Sequence, residues 1–482
     1  MNNNAVNIQV GKCTYPVENF NPNCCFPEYI FDESEISPDN RVYSLIRDSL
    51  HAFHLDDENY GTPYWNPLKD YIKPGNTVLI KPNWVMHYNK NKKVKKDAME
   101  CLITHPSCIR AICDYCLIAL QGKGRVIIGD APMQDCVYKE MLEKSKYNVL
   151  LAFYKEKGQP VEYVDFRQLQ STFHHGVIVG KTFGNGIPIE VNMSEHSQFL
   201  KSRSNNYDYQ VDNYKKEVTQ HYHNDVQHIY SVNQIVLQAD TIINFCKPKT
   251  HRLSGLTAAL KNSVGIIFNK ASLPHRTAGS KLDNGDAYLN QSRLKKFMDL
   301  ILNKKIELED KHHIWLAYAI FGLYGVLYYS SRTFCKDSYF RGCWYGNDTI
   351  WRTVIDLNYI LNYADKTGKV CDISQRKILN FADMIVSGEH QGPCAPEPKY
   401  INAIIVAEDA AAMDATICKL MGFDARKILM MNAVINNDTF YKFDEVKVTS
   451  NLKSINGNLN EITFPDEWRF IAHDNWKGHI EI

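Results

Sequence analysis

The first clear period along the chain is helical. Val42, Ile46, Leu50 and Phe53 recur at three- and four-residue spacing and predict an amphipathic helix. The turn Lys73-Pro-Gly-Asn76 follows, then the apolar run Thr77–Ile80, a strand ending in Lys81-Pro-Asn83. A second helical pattern starts near residue 106, with Ile109, Ile112, Cys113, Cys116, Leu117 and Leu120 on one face, and closes at Gly122 and Gly124. Arg125–Ile128 is the next strand, ending in Gly129-Asp130. The alternation resumes at Ala239–Phe245, followed by Cys246-Lys-Pro-Lys-Thr-His-Arg252 and a helix through Leu256, Ala259 and Leu260. Met384–Val386 leads to Glu389, and Ala403–Ala407 leads to Asp409 and a helix that Gly422 ends. Strands alternating with helices predict an α/β fold of two lobes, mostly parallel sheets flanked by helices, with irregular insertions.

The same pattern divides the chain. Residues 1–40 are a polar, irregular lead-in, and 41–170 form the first lobe. Residues 171–232, rich in Asn and His, are an insertion; 233–270 with 351–435 make the second lobe. Residues 271–350 are a second insertion, and 436–482 an appended surface tail. Within the second insertion, 314–329 has no charged residue. As a helix it is about 24 Å long, short of a ~30 Å hydrocarbon core. A buried helix or a subunit contact in a homo-oligomer is the favoured reading over membrane contact.

Composition narrows the class. Of 482 residues, 44% are hydrophobic and 23% charged, which excludes a disordered chain and a multi-span membrane protein. Lys plus Arg is 55 against 54 Asp plus Glu, so no global field attracts nucleic acid. No apolar leader opens the chain, so a reducing, cytoplasmic setting is expected, with 314–329 as the point of any contact with the inner membrane face. The 14 cysteines then read mostly as small core residues, the Cys113-Asp-Tyr-Cys116 pair included.

Candidate chemistry gathers at strand ends, where ligands bind in parallel sheets. Lys81, Lys247, Lys249 and Lys261, with His251 and Arg252 beside them, suit a phosphate or carboxylate. Asp130, Glu389 and Asp409 follow strands and could act as acid, base or ligand, although Asp409 could equally sit at a helix N-terminus. His221, His223 and His228 form a group that would accept a divalent metal if His221 and His223 share a strand face. Leu273-Pro-His275-Arg276 and Trp344-Tyr-Gly-Asn347-Asp348, with Trp351 and Arg352, suit a sugar pocket or, equally, an aromatic mini-core with an N-cap. No Walker loop, G-x-G-x-x-G, G-x-S-x-G or H-E-x-x-H is present.

Lys81-Pro-Asn83, Thr104-His105-Pro106, Gly129-Asp130, Ile243-Asn244 through His251, Leu260-Lys261-Asn262 and Asp409 to Gly422, in that order over roughly 70–430, resemble domain of unknown function 362. The 273–276 and 344–349 segments resemble a long-form branch of that family, which the resemblance associates with bacterial surface-polysaccharide loci. Many members carry a ferredoxin-like iron–sulfur module; the cysteine run it needs is not in this chain. The two-lobed plan is also similar to nickel-pincer lactate racemases, without a residue-by-residue match.

The expected activity is acid/base isomerisation or epimerisation, or else group transfer, on a small anionic sugar-type metabolite. Asp130, His251, Lys249 and Glu389 are the catalytic candidates. Lys81, Asn83, His105, Lys247, Lys261, Asn262, His275, Arg276, Asn347, Asp348, Arg352 and Asp409 are the binding candidates. The rival readings are a metal-linked or iron–sulfur-linked redox protein and a non-catalytic binding subunit of a membrane-associated glycan machinery.

Overall fold

The computed structural model describes residues 4–32, 36–94, 98–202 and 205–482. Its apolar runs build one large mixed, mostly parallel sheet of eleven strands flanked by helices. In chain order the strands are β1 (Ala5–Val10), β2 (Thr77–Lys81), β3 (Arg125–Asp130), β4 (Val161–Asp165), β5 (Thr241–Cys246) and β6 (Lys249–His251). They continue as β7 (Gly255–Thr257), β8 (Lys377–Gln391), β9 (Ala395–Ala407), β10 (Lys447–Ser450) and β11 (Gly457–Asn458). The spatial order is β11-β10-β1-β9-β8-β5-β2-β3-β4, with β6 and β7 off the end of β8. The run β8-β5-β2-β3-β4 is parallel throughout, so the ends of β2, β3 and β5 open on one edge.

Both faces of β2, β3 and β5 are covered, which is why these strands are almost wholly apolar. Val78, Ile80, Val126, Ile128, Ile243 and Phe245 face the helices Arg41–Ala52 and Pro106–Leu120. Leu79, Ile127 and Ile242 face the other way, against the helix Ile350–Tyr363. Strands from both expected lobes join this single sheet.

Four local expectations change. The lead-in contains β1, which pairs with both β9 and β10; only Val6, Ile8 and Val10 alternate there, among polar neighbours. The tail adds β10 and β11 and buries Trp468 and Trp476, so it is part of the core. The helix expected through Leu256 begins only at Ala259 and ends at Asn262, because 255–257 pair with 249–251 instead. Met384–Val386 and Ala403–Ala407 belong to the antiparallel hairpin of β8 and β9, with no helix between them.

Seven cysteines are buried, five half-buried and two exposed, and all are free thiols. Core placement therefore holds for half of them, Cys113 and Cys116 included. The uncharged segment forms the helix Ile314–Phe334, which is not a buried core helix. It rests on the helix Arg293–Asp310 and on the hairpin of Leu169–His174 with Val177–Phe183. Tyr318 Oη lies 2.7 Å from His174 Nδ1.

Candidate functional site

The strand ends are tied together below the surface. Lys81 Nζ lies 2.9 Å from Asp130 Oδ1, and both side chains are buried. Asp130 also accepts the backbone N–H groups of Trp84 (2.6 Å) and Ala131 (2.8 Å). Burial works against charge on both groups, pushing the carboxyl up and the ammonium down, and each opposes that shift in the other. Gly265 lies against the pair: a Cβ there would stand 1.6 Å from Asp130 Oδ1.

Beside the pair runs a chain of amides. Asn83 donates to Asn262 (2.9 Å), Asn262 to Asn244 (2.8 Å), and Asn244 to Asn380 (2.8 Å). Lys249 donates to Asn83 Oδ1 and to the Leu102 carbonyl (2.7 Å). Three parallel strands and the 259–262 turn are thereby locked in register by side chains whose donors and acceptors meet.

Above this platform is a cavity of about 620 Å³. Its floor is Asn83, Asp130, Asn262 and Gly265, and its walls carry Arg252, Lys261, Lys270, His251 and His275. Phe340 and Tyr324 and Tyr328 of the 314–334 helix close one side. Among the described residues, neither the Lys261 ammonium nor the Arg252 guanidinium has a hydrogen-bond or ion-pair partner. Burial, then the cations Lys270 and Arg252, bring Lys261 down to about 7. Lys270 comes down to about 8 by burial and Arg167, and donates to the Ala131 carbonyl (2.9 Å). Asp212 also lines the cavity, but Arg276 (2.5 Å) and Arg341 (2.6 Å) hold it. Burial raises this carboxyl, and the arginines outweigh burial and keep it well below the carboxylate range. Asp135, the third carboxylate in the lining, pairs with Lys90 (2.9 Å), so among the described residues each carboxylate of the cavity is already in an ion pair while Lys261 and Arg252 are in none.

The two histidines are fixed in opposite tautomers. His251 Nδ1 accepts the N–H groups of Leu253 (3.0 Å) and Ser254 (3.3 Å), so the ring proton sits on Nε2. His275 Nδ1 donates to the Leu273 carbonyl (2.7 Å), so its Nε2 carries a lone pair. Burial and nearby cations hold His251 well below the usual histidine range. Burial brings His275 down to about 4, against the pull of Asp212. Both rings are neutral near pH 7, one a donor and the other an acceptor.

Several expected site residues lie elsewhere. Lys247 is fully buried, bonded to Asp383 (2.8 Å) and the Tyr15 hydroxyl (2.8 Å), and reaches no ligand space. Lys249 is equally buried and acts on Asn83, not on the cavity. Lys81 and Asp130 neutralise each other, which leaves Asp130 no role as a free base. His105 caps the 106–120 helix and stacks on Tyr15, with ring centroids 4.0 Å apart. Glu389 accepts the Ile471 N–H (2.8 Å) on the far arm of the hairpin. Asp409 is the N-cap of the helix Ala410–Leu420, accepting from Ala412 (2.7 Å).

The Trp344 segment is a mini-core. Asn347 accepts from Thr349 (3.1 Å) and Ile350 (3.0 Å), Asp348 pairs with Arg352 (3.0 Å), and Arg352 donates to the Gln198 carbonyl (2.8 Å). Arg276 serves the cavity only through Asp212. The metal expectation also fails in its geometry. His221 sits exposed on the helix Lys216–Tyr222, while His223 and His228 are buried with their Nδ1 atoms 3.3 Å apart. Among the described residues no three His, Cys, Asp or Glu side chains converge as a ligand set.

Lys270, Arg341, Asp212 and Asn475 enter the site without having been singled out in the sequence. Lys270 and Arg341 follow no strand, so their position relative to β2 and β3 has no local signature. The tail contributes through Trp476, whose Nε1 donates to the Arg252 carbonyl (2.8 Å), and Asn475, which donates to the Cys343 carbonyl (2.6 Å).

Fold and site define an α/β protein with a cationic cavity at the carboxyl ends of parallel strands. The model of the family described as Domain of unknown function (DUF362) matches residues 78–188 and 190–419, and the chain belongs to that family. No curated protein and no solved structure matches it.

Proposed function

We propose that the cavity binds a small anionic metabolite, a phosphorylated or carboxylated sugar, and moves a proton on it. The observation that carries this reading is the pairing of unneutralised Lys261 and Arg252 with two neutral histidines of opposite tautomer in one cavity. The cations hold the anionic group. His275 Nε2 takes a proton from carbon beside a carbonyl, and the His251 Nε2–H donates to the oxygen on which charge develops. Return of that proton from His275 to the neighbouring carbon, while His251 carries the hydroxyl proton from one oxygen to the other, completes an isomerisation with no net loss of atoms. Asn83 and Asn262, held by each other and by Asn244 and Lys249, form the rigid floor beneath the ligand.

The test is solvent-hydrogen exchange. A panel of sugar phosphates and sugar acids is incubated with the protein in deuterated buffer and read by NMR. Deuterium should enter one carbon of a substrate, and His275→Gln should slow this by about 10²–10⁴-fold while binding persists. Binding with no exchange in any compound would favour a non-catalytic receptor. No binding of any anion would overturn the reading.

A further inference from the structure

The Ile314–Phe334 helix carries no charge on any side up to Tyr329, yet only its inner side is packed. Ala317, Phe321, Tyr324 and Tyr328 face the body of the protein. Trp315, Leu316, Leu323, Val326, Tyr329 and Phe334 are 87%, 57%, 47%, 64%, 71% and 80% exposed. At 3.6 residues per turn these six fall within about 140° of arc, a continuous apolar stripe. Phe297 and Leu300 of the antiparallel Arg293–Asp310 helix are exposed as well. The helix would be about 32 Å long, enough to span, but its packed inner side keeps it alongside the protein.

The charges around the stripe say what covers it. Residues 293–337 hold eight Lys or Arg against five Asp or Glu. Of these acids, Glu307, Glu309, Asp310 and Asp337 are already in ion pairs. Arg293, Arg332 and Lys336 are exposed and have no ion pair among the described residues. In a two-fold dimer through this stripe the acids a second copy would bring, Glu307, Glu309, Asp310 and Asp337, are already in ion pairs, so these cations would gain no partner. An anionic surface with an apolar interior satisfies both features.

We infer that the 314–334 helix docks the protein on the surface of an anionic phospholipid bilayer. The stripe sinks to acyl depth, with Trp315 and Tyr329 at the headgroup boundary. Arg293, Arg332 and Lys336 meet the headgroups. Tyr324 and Tyr328, on the opposite side of the same helix, line the cavity, so docking sets the cavity beside the leaflet. The inference is independent of the proposed chemistry.

Flotation of the full chain with phosphatidylcholine vesicles, with and without phosphatidylglycerol, tests it. The wild type should float with the anionic vesicles and be released by high salt. Leu323→Glu with Val326→Glu should lower partitioning roughly tenfold or more. Arg332→Glu with Lys336→Glu should abolish the preference for anionic lipid. Circular dichroism and gel filtration check that each variant is folded. Lys261→Met, in the cavity, should float like the wild type, which separates this inference from the cavity reading. Failure of the wild type to bind either vesicle overturns it. So does a wild-type dimer that the 323/326 variant converts to monomer with unchanged flotation.

Discussion

Lys81 and Asp130 form a buried ion pair, 2.9 Å apart, at the ends of adjacent parallel strands. Removing one partner leaves the other charged group buried and unpaired. Asp130→Ala should destabilise the fold by roughly 3–5 kcal/mol, whereas Lys81→Met with Asp130→Leu should recover much of that loss. Urea unfolding of the single and double variants measures both. Equal losses in all variants would show that the pair itself is not what matters.

Gly265→Ala should act on the same pair without removing either charge. The added Cβ would overlap Asp130 Oδ1. Either the carboxylate or the 263–266 turn has to move, and overpacking of this kind costs about 1–3 kcal/mol. A thermal melt unchanged from wild type would contradict the close approach.

Anion binding should depend on Lys261 protonation. Its ammonium is brought down to about 7, so it is charged below that pH and neutral above. Sulfate keeps its charge over the same range. Sulfate affinity, measured by titration calorimetry between about pH 6 and about pH 9, should therefore fall as pH rises past 7. Lys261→Met should remove this step and leave the later one, near 8, that Lys270 sets.

Trp476 should link stability to binding. Its ring packs on Gly255, and its Nε1–H holds the Arg252 carbonyl. Trp476→Ala should lower stability by about 3–5 kcal/mol. Trp476→Phe keeps most of the ring but not the N–H. It should weaken sulfate binding several-fold, with a smaller change in Tm than the alanine variant.

His223 and His228 should contribute to acid sensitivity. Burial brings His223 down to about 3, with His228 adding to the shift, and burial brings His228 to about 4. The unfolded chain takes up these protons near 6.5, before the folded one does. Stability from this pair is complete above that pH and falls as pH drops toward 4. His228→Asn should flatten the acid limb of a stability–pH curve. His221→Ala, on the exposed helix face, should change stability by less than about 0.5 kcal/mol.

The sequence by itself determined β2, β3 and β5, three of the five parallel strands, and the edge on which they open. Runs such as Thr77–Ile80 and Thr241–Cys246 are apolar without alternation, and only a strand covered on both faces needs that. It also brought Asn83 and His251 to attention, because they lie just past such strands, and Lys261 and Asn262, at the end of the helical pattern that follows. Tertiary structure decided which polar residues are spent on the fold. Lys247 and Asp383 are 136 positions apart, and no local pattern reveals that they neutralise each other. Long-range pairing likewise made β1 and the tail part of the core, and left Arg252 and Lys261 without hydrogen-bond or ion-pair partners among the described residues. The outer side of the 314–334 helix is the same case. Its composition reads as core, and only the packing of one side and not the other shows that it faces out.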